Sequence, residues 1–443
     1  MRFNTTVLLS SAVAVLLLGC AGSTPESDLL QLPPLPSLSV PRGTEASSDS
    51  VAGVLEASTR ALSTDPGLIA ARHRVLAADA MRAQAGAWTN PTLQAEAEGW
   101  GIDRHGFDES ELTLSATFPL DLVGKRGARV SVAQAETNVE RSRYNDARRL
   151  VIASARRAVL FVRAEKERER LAAERLHITE ETATALGREV QAGKAPPLEH
   201  VRAEVDRESA RVEFMRARAN VRTARLKLGT LLGRPGAEVD AGGTLRDASI
   251  APDSVALAHD LLHHPRRLVA LWSAESAVRQ ERQVGRDKWP ELEAEVGLRR
   301  FMDEDRSAWV TGLSMELPLW DQKTGKARAA RELSQAGRHE VSAVDRDLQL
   351  ELSGLLAALR SSQESLNLYR ALILPQAEDA LQLARKGFEG GKFGYLDLLE
   401  AQRALLTVQS DYLETRISYD EAVGDLESLL GREPQNGLIP ETP

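Results

Sequence analysis

The stretch LSATFPLDLVGKRGAR runs from Leu114 to Arg129, and its reading decides the fold. Its first half continues an alternation in which Leu112, Leu114, Ala116 and Phe118 fall on one face of a strand. Pro119 stops the ladder, because proline has no N–H to donate. Beyond it the sequence turns charged and alanine-rich, the composition of a long solvated helix. Nearly the same punctuation returns as LSMELPLWDQKTGKAR, from Leu313 to Arg328.

The recurrence extends through the chain. Pro66 and Pro265, Pro91 and Pro290, Leu93 and Leu292, Pro119-Leu120 and Pro318-Leu319, and Ala128-Arg129 and Ala327-Arg328 are all 199 residues apart. Later matches sit 198 apart: Gly193-Lys194 with Gly391-Lys392, Leu198 with Leu396, and Leu231–Arg234 with Leu429–Arg432. One deletion accounts for the change. The protein is a tandem duplication.

Each copy predicts a helix, a β-hairpin, a very long helix and a further helix. Residues 51–250 form the first repeat, with its hairpin at about 91–118 and long helices over about 123–232. Residues 251–432 form the second, with a hairpin at about 290–317, where Val310, Leu313, Met315 and Leu317 alternate less strictly, and helices over about 322–430. A tail of 433–443 follows. In the second long helix Val341, Val344, Leu348, Leu352, Leu355 and Leu359 recur every three or four residues, a coiled-coil seam, with Pro375 the one proline in its path. A helix of ~65 residues is ~100 Å long, far beyond the needs of a compact domain.

The N-terminus predicts secretion. Arg2, an apolar run over Val7–Leu18 and small residues before Cys20 make residues 1–19 a signal peptide, too short to cross a bilayer. LLGC ends at Cys20, the only cysteine, which rules out a disulfide and a thiolate metal cluster. The pattern fits a lipobox, with Cys20 acylated as the mature N-terminus and residues 20–50, rich in Ser and Pro, as a flexible tether. A net charge of −8, with no basic stripe interleaved with aromatics, argues against nucleic acid as a partner.

Strands of about ten residues are the length that crosses an outer membrane when tilted. Trp88, Trp289 and Trp320 lie at the helix-attached ends of the hairpins, and Trp100 and Trp309 at the loop ends. That is the pattern of two aromatic girdles. Four strands per chain cannot close a barrel, and lipid tolerates no open edge, so several chains must share one.

The lipobox, the duplication, and the motifs NPTLQAEAEGWG, FPLDLVGKRGAR, LPLWDQKTGKARAARE and FEGGKFGYLDLLEAQRALLTVQSDYLE resemble the TolC-type outer-membrane efflux channels over essentially the whole mature chain. GKRGAR and PLWDQKTGKARAARE are most similar to the branch that serves heavy-metal exporters of the resistance–nodulation–division (RND) class. The resemblance implies a mainly α protein with a membrane β-barrel: a homotrimer whose twelve-stranded barrel stands on a periplasmic helical tunnel. It implies a lipid-anchored outer-membrane location, a periplasmic adaptor and an inner-membrane RND pump as partners, and no cofactor. Glycines Gly193 and Gly391 would turn the tunnel tips that meet the adaptor. Asp397 and Glu400 match acidic residues of the family's periplasmic constriction, with Glu199 and Arg202 in the first copy.

Other readings remain at this point. The cargo is a heavy-metal cation, an organic compound such as a drug, or the product of a type I secretion system. A periplasmic adaptor lipoprotein would carry one helical hairpin rather than a duplicated strand unit. An enzyme finds no HExxH motif or GxSxG elbow among the scattered histidines. His263-His264 before Pro265 admit a metal site, although their first-copy counterparts, Thr64 and Asp65, favour the end of a short helix.

Overall fold

The computed structural model describes residues 50–99, 110–246, 257 and 259–431. Cys20 and Trp100 lie outside them. In chain order the elements are β1 (Ser50–Val51), α1 (Val54–Thr64), α2 (Pro66–Ala85), β2 (Thr92–Glu98), β3 (Glu111–Leu120), α3 (Lys125–Gln191), α4 (Pro197–Leu231) and β4 (Asp240–Ala241). The second copy follows with α5 (Pro265–Asp287), β5 (Leu292–Phe301), β6 (Arg306–Met315), α6 (Thr324–Leu368), α7 (Leu374–Glu389) and α8 (Tyr395–Leu429).

The 67 residues of α3 form one uninterrupted helix. Its length is covered in two stages. Near the strands α2 and α5 lie along it: Thr137 donates to the Ala78 carbonyl at 3.3 Å, and Arg279 donates to the Ser131 carbonyl at 2.9 Å. Farther on, α4 runs back along the distal half. The second copy repeats the plan, but its long helix contains Pro375. The proline lacks the N–H that would bond one turn back, and a π turn over Tyr369–Ile373 absorbs the defect between α6 and α7. The helical path therefore continues to Glu389.

Helix-to-helix packing is leucine- and alanine-rich. One cluster joins Leu348, Leu352, Leu356, Leu359 and Leu366 of α6 to Tyr419, Val423 and Leu426 of α8. A second packs α1 on the middle of α3 and the end of α4, with β1 and β4 pairing in parallel beside it. At the same level Arg156 and Arg246 share the fully buried Glu427, at 3.0 and 3.3 Å. The Arg246 backbone N–H also donates to the Asp420 carboxylate at 3.2 Å. A buried charge is stable only when paired, so this network ties α3 of the first copy to α8 of the second.

The four long strands form one antiparallel sheet in the order β2-β3-β5-β6. Its faces are inverted relative to a soluble sheet. Register places Ala95, Leu114, Leu298 and Trp309 in one row, Leu93, Ala116, Val296 and Thr311 in the next, and Leu120, Leu292 and Met315 in the last. These apolar rows are open: Leu93 is 74% exposed, Leu114 52% and Leu313 73%. The opposite face holds Glu96, Thr113 and Arg299 in one row and Gln94, Ser115, Gly297 and Val310 in another, and Thr113 and Ser115 are buried. An exposed apolar band backed by a polar face suits lipid outside and water inside. Val310 departs from the expected alternation. It lies on the polar face opposite Gly297, while Trp309, Thr311, Leu313 and Met315 share the apolar face. Leu317 falls beyond the end of β6.

Candidate functional site

The far ends of the long helices form the first candidate site. Both helices end in the same way. After α3, the Gly193 N–H donates to the Val190 carbonyl at 3.0 Å and the Lys194 N–H to the Glu189 carbonyl at 2.8 Å. After α7, Gly391 donates to Phe388 at 3.0 Å and Lys392 to Gly387 at 2.8 Å. These are Schellman closures, and they require a left-handed residue: φ is +71° at Gly193 and +66° at Gly391. A Cβ at either glycine would meet open space. The duplication has thus preserved two equivalent turns, each with an exposed glycine at its apex.

The two turns are held together by Tyr395, the first residue of α8. Its ring is buried among Ala183 and Leu186 of α3, Ala203 of α4 and Leu399. Burial, together with the nearby Asp206 carboxylate, pushes its phenol up to about 12. One turn later the acidic pair separates in role. The Asp397 carboxylate accepts the Gly394 N–H at 2.8 Å and so caps α8. Glu400 is exposed and makes no ion pair among the described residues. In the first copy Glu199 is half-buried, and Arg202 is exposed with no ion pair among the described residues.

A tie that sequence reasoning missed lies beside them. Arg403 of α8 reaches Asp206 of α4 at 2.8 Å. This is a cross-brace between the two helical hairpins at the tip. A signal for it exists in the repeat itself: at the 198-residue offset Arg403 matches Val205 and Asp206 matches Ala404, so both charges are departures from internal symmetry.

The second candidate site is the strand end of the molecule. Trp88, Trp289 and Trp320 stand at the junction with the helices, 69%, 62% and 93% exposed. The Arg126 guanidinium lies 4.7 Å above the Trp88 ring. Trp309 projects from the apolar face, 70% exposed. On the polar face the register gathers Glu96, Glu98, Glu111, Glu293 and Glu295, against Arg299 and Arg306. Arg299 bonds Glu111 at 3.0 Å and approaches Glu98 at 3.8 Å.

His264 resolves into a cap. Its Nδ1 accepts the Arg266 N–H at 3.2 Å, as Asp65 accepts the Leu68 N–H at 2.7 Å in the first copy. Burial, aided by the positive Arg149, lowers its pKa to about 4, so it stays a neutral acceptor. Among the described residues no three His, Cys, Asp or Glu side chains converge as a metal site. No described helix is long and apolar enough to cross a membrane, which says nothing of strands.

Two segments, residues 57–234 and 257–432, each match the family of outer membrane efflux proteins. The chain belongs to that family. This outer membrane efflux protein is 30% identical over 326 residues to the cobalt-zinc-cadmium resistance protein CzcC of Cupriavidus metallidurans, covering 72% of this chain and 77% of the relative. It is 29% identical over 275 residues to the nickel-cobalt-cadmium resistance protein NccC of Alcaligenes xylosoxydans xylosoxydans, covering 61% and 62% of the two chains. Its fold matches the crystal structure of the outer membrane protein VceC from Vibrio cholerae with a TM-score of 0.73 at 21% identity, over 86% of this chain and 96% of that one. The fold is that of the TolC-type efflux channels, with long helices continuing a membrane sheet, and the family serves efflux at the outer membrane.

Proposed function

We propose that the protein is the passive exit duct of a tripartite efflux system for divalent transition-metal cations. Three chains close one twelve-stranded barrel through the free edges of β2 and β6, with the apolar rows toward lipid and the Trp residues as girdles. The helices continue as a periplasmic tunnel. An adaptor docks at the Gly193 and Gly391 turns, and an inner-membrane RND pump supplies the energy. The chain conducts and does not catalyse. Cys20 carries the lipid anchor.

The observation that carries the cation reading is the polar face of the sheet. Five carboxylates face two arginines there, so a trimer encloses an acidic lumen. A low-dielectric wall lined by one sign of charge concentrates counter-ions and repels co-ions. Such contacts are weak and spread out, which suits a conduit, since tight binding slows release. At the other end Asp397, Glu400 and Glu199 add negative charge around the tip, with Arg202 facing a neighbouring chain, and together they form the periplasmic gate. The metal-resistance names of CzcC and NccC support the same cargo.

Planar-bilayer recordings test this. The unmodified channel is expected to pass cations in preference to chloride, and Glu293→Gln with Glu295→Gln to weaken that preference. An anion-selective channel, or a preference indifferent to both substitutions, ends the cation reading. Restored cobalt, zinc or cadmium resistance in a host lacking its own exit duct checks the cargo. Mass spectrometry of the mature N-terminus checks Cys20, since an unacylated Cys20 disproves the anchor.

A further inference from the structure

At the foot of the sheet the apolar face does not stop at the last strand row. It runs into a cleft of about 390 Å³ between the first hairpin's exit and the start of the second. Leu120, Leu292 and Met315, the final row of that face, form one wall. Trp88 and Trp289 flank it, both largely exposed. The rim carries Lys125, Arg126 and Arg129, all within the first five residues of α3, a first turn that contains no acidic residue.

The rim keeps a net positive charge, with Lys125, Arg126 and Arg129 set against the Asp121 and Glu291 carboxylates. The two Asp121 oxygens accept the Lys125 N–H at 2.6 Å and the Arg126 N–H at 2.8 Å, which fixes that carboxylate at the helix start without removing its charge. Glu291 stands 3.9 Å from the Lys125 ammonium, at the limit of an ion pair. Arg126 is held in place by Trp88 and by donating its Nε–H to the Gly86 carbonyl. Arg129 is half-buried and has no ion pair among the described residues. An apolar wall continuous with the exposed apolar face, flanked by aromatic rings and topped by basic side chains, has the polarity order of a phospholipid: chains, interface, phosphate.

We propose that this cleft is a binding site for one anionic phospholipid of the periplasmic leaflet. Its acyl chains lie along the Leu120–Leu292–Met315 row, and its phosphodiester meets Arg129 and Lys125, with Arg126 fixed above Trp88. The site rests on the outer-membrane reading given above. It locks the first strand hairpin, α3 and the second hairpin to one lipid molecule at the point where barrel becomes tunnel.

The test uses the full-length protein in detergent micelles, titrated with phosphatidylglycerol or phosphatidylcholine brominated on the acyl chain. Quenching of tryptophan fluorescence is the readout, because Trp88 and Trp289 sit in the cleft. Each basic side chain near an anionic surface contributes about fivefold, so two of them predict about 25-fold tighter phosphatidylglycerol binding. Lys125→Gln with Arg129→Gln is expected to bring the two lipids to near parity, and Arg129→Lys alone to keep most of the preference. Equal quenching by both lipids in the unmodified protein overturns the site, as does a preference that survives the double substitution. A preference that appears only in Cys20→Ser means that the protein's own acyl chains fill the cleft, and it too overturns the proposal. Conductance of the same preparations separates the two readings. A channel that inserts and conducts without lipid preference refutes the lipid site alone, whereas failure to insert refutes both.

Discussion

Arg403→Gln removes the one ion pair that braces α4 against α8 at the tip. The pair is partly shielded, with 16% of the Asp206 side chain and 56% of the Arg403 side chain exposed. A bridge of that kind contributes about 1 kcal/mol. If opening of the tip breaks it in all three chains together, the substitution shifts the closed-to-open ratio by about 3 kcal/mol, or roughly 150-fold. Asp206 also borders the buried Tyr395 ring, so Asp206→Asn alone perturbs two contacts. A double-mutant cycle of Arg403→Gln and Asp206→Asn isolates the bridge. Single-channel recordings of the two variants, their combination and the unmodified protein give the open fraction. The combination is expected to open little more than Arg403→Gln alone. Strict additivity, or an open fraction within twofold of the unmodified channel, refutes the brace.

Asp397 and Glu400 are expected to part ways. Asp397→Ala removes the acceptor of the Gly394 N–H and weakens the start of α8 by about 1 kcal/mol, seen as faster amide exchange there, whereas Glu400→Gln lowers cation selectivity with exchange unchanged. Gly193→Trp and Gly391→Trp strain the left-handed turn locally, although a Cβ at either position meets open space. They should leave assembly intact on native mass spectrometry while reducing cross-linking to the adaptor. His264 is held neutral to about pH 4, below its ordinary 6.5. The unfolded chain takes up that proton first as pH falls, so the stability His264 supports is complete above 6.5 and is lost progressively between 6.5 and 4. His264→Asn keeps a cap and should flatten that part of the melting curve.

The duplication was legible because one register is held across the chain, and the strand-to-helix junctions were legible only approximately: β3 does not stop at Pro119 but stays paired through it to Leu120, opposite Glu293 and Leu292, because a single missing N–H is tolerated at a strand end. What the sequence left open has identifiable physical causes. Val310 is apolar like Leu313 and Met315 but of opposite parity, so it falls on the other face of β6, and hydropathy alone does not report that phase. The acidic face of the sheet was hidden for a different reason. Glu96, Glu98, Glu111, Glu293 and Glu295 are scattered over three strands and gather only through register. Pro375 was visible, but the π turn that absorbs it was not, since a bulge leaves no residue signature of its own. The Arg403–Asp206 brace joins helices from different copies, and only its departure from the repeat marks it. The Asp397 cap, by contrast, follows from its place three residues after Gly394.

The sheet's two open edges carry a genetic consequence. β2 and β6 differ in length and sequence, so each edge must find the opposite edge of another chain, and closure is head-to-tail. In the proposed ring every edge must be paired, so one defective edge leaves the whole ring unsealed. In a cell making equal amounts of intact and edge-defective chains, about one ring in eight is wholly intact if three chains combine at random. Substitutions on β2 or β6 that block pairing on one side only are therefore expected to be dominant over a normal copy, whereas substitutions that unfold the chain before assembly stay recessive.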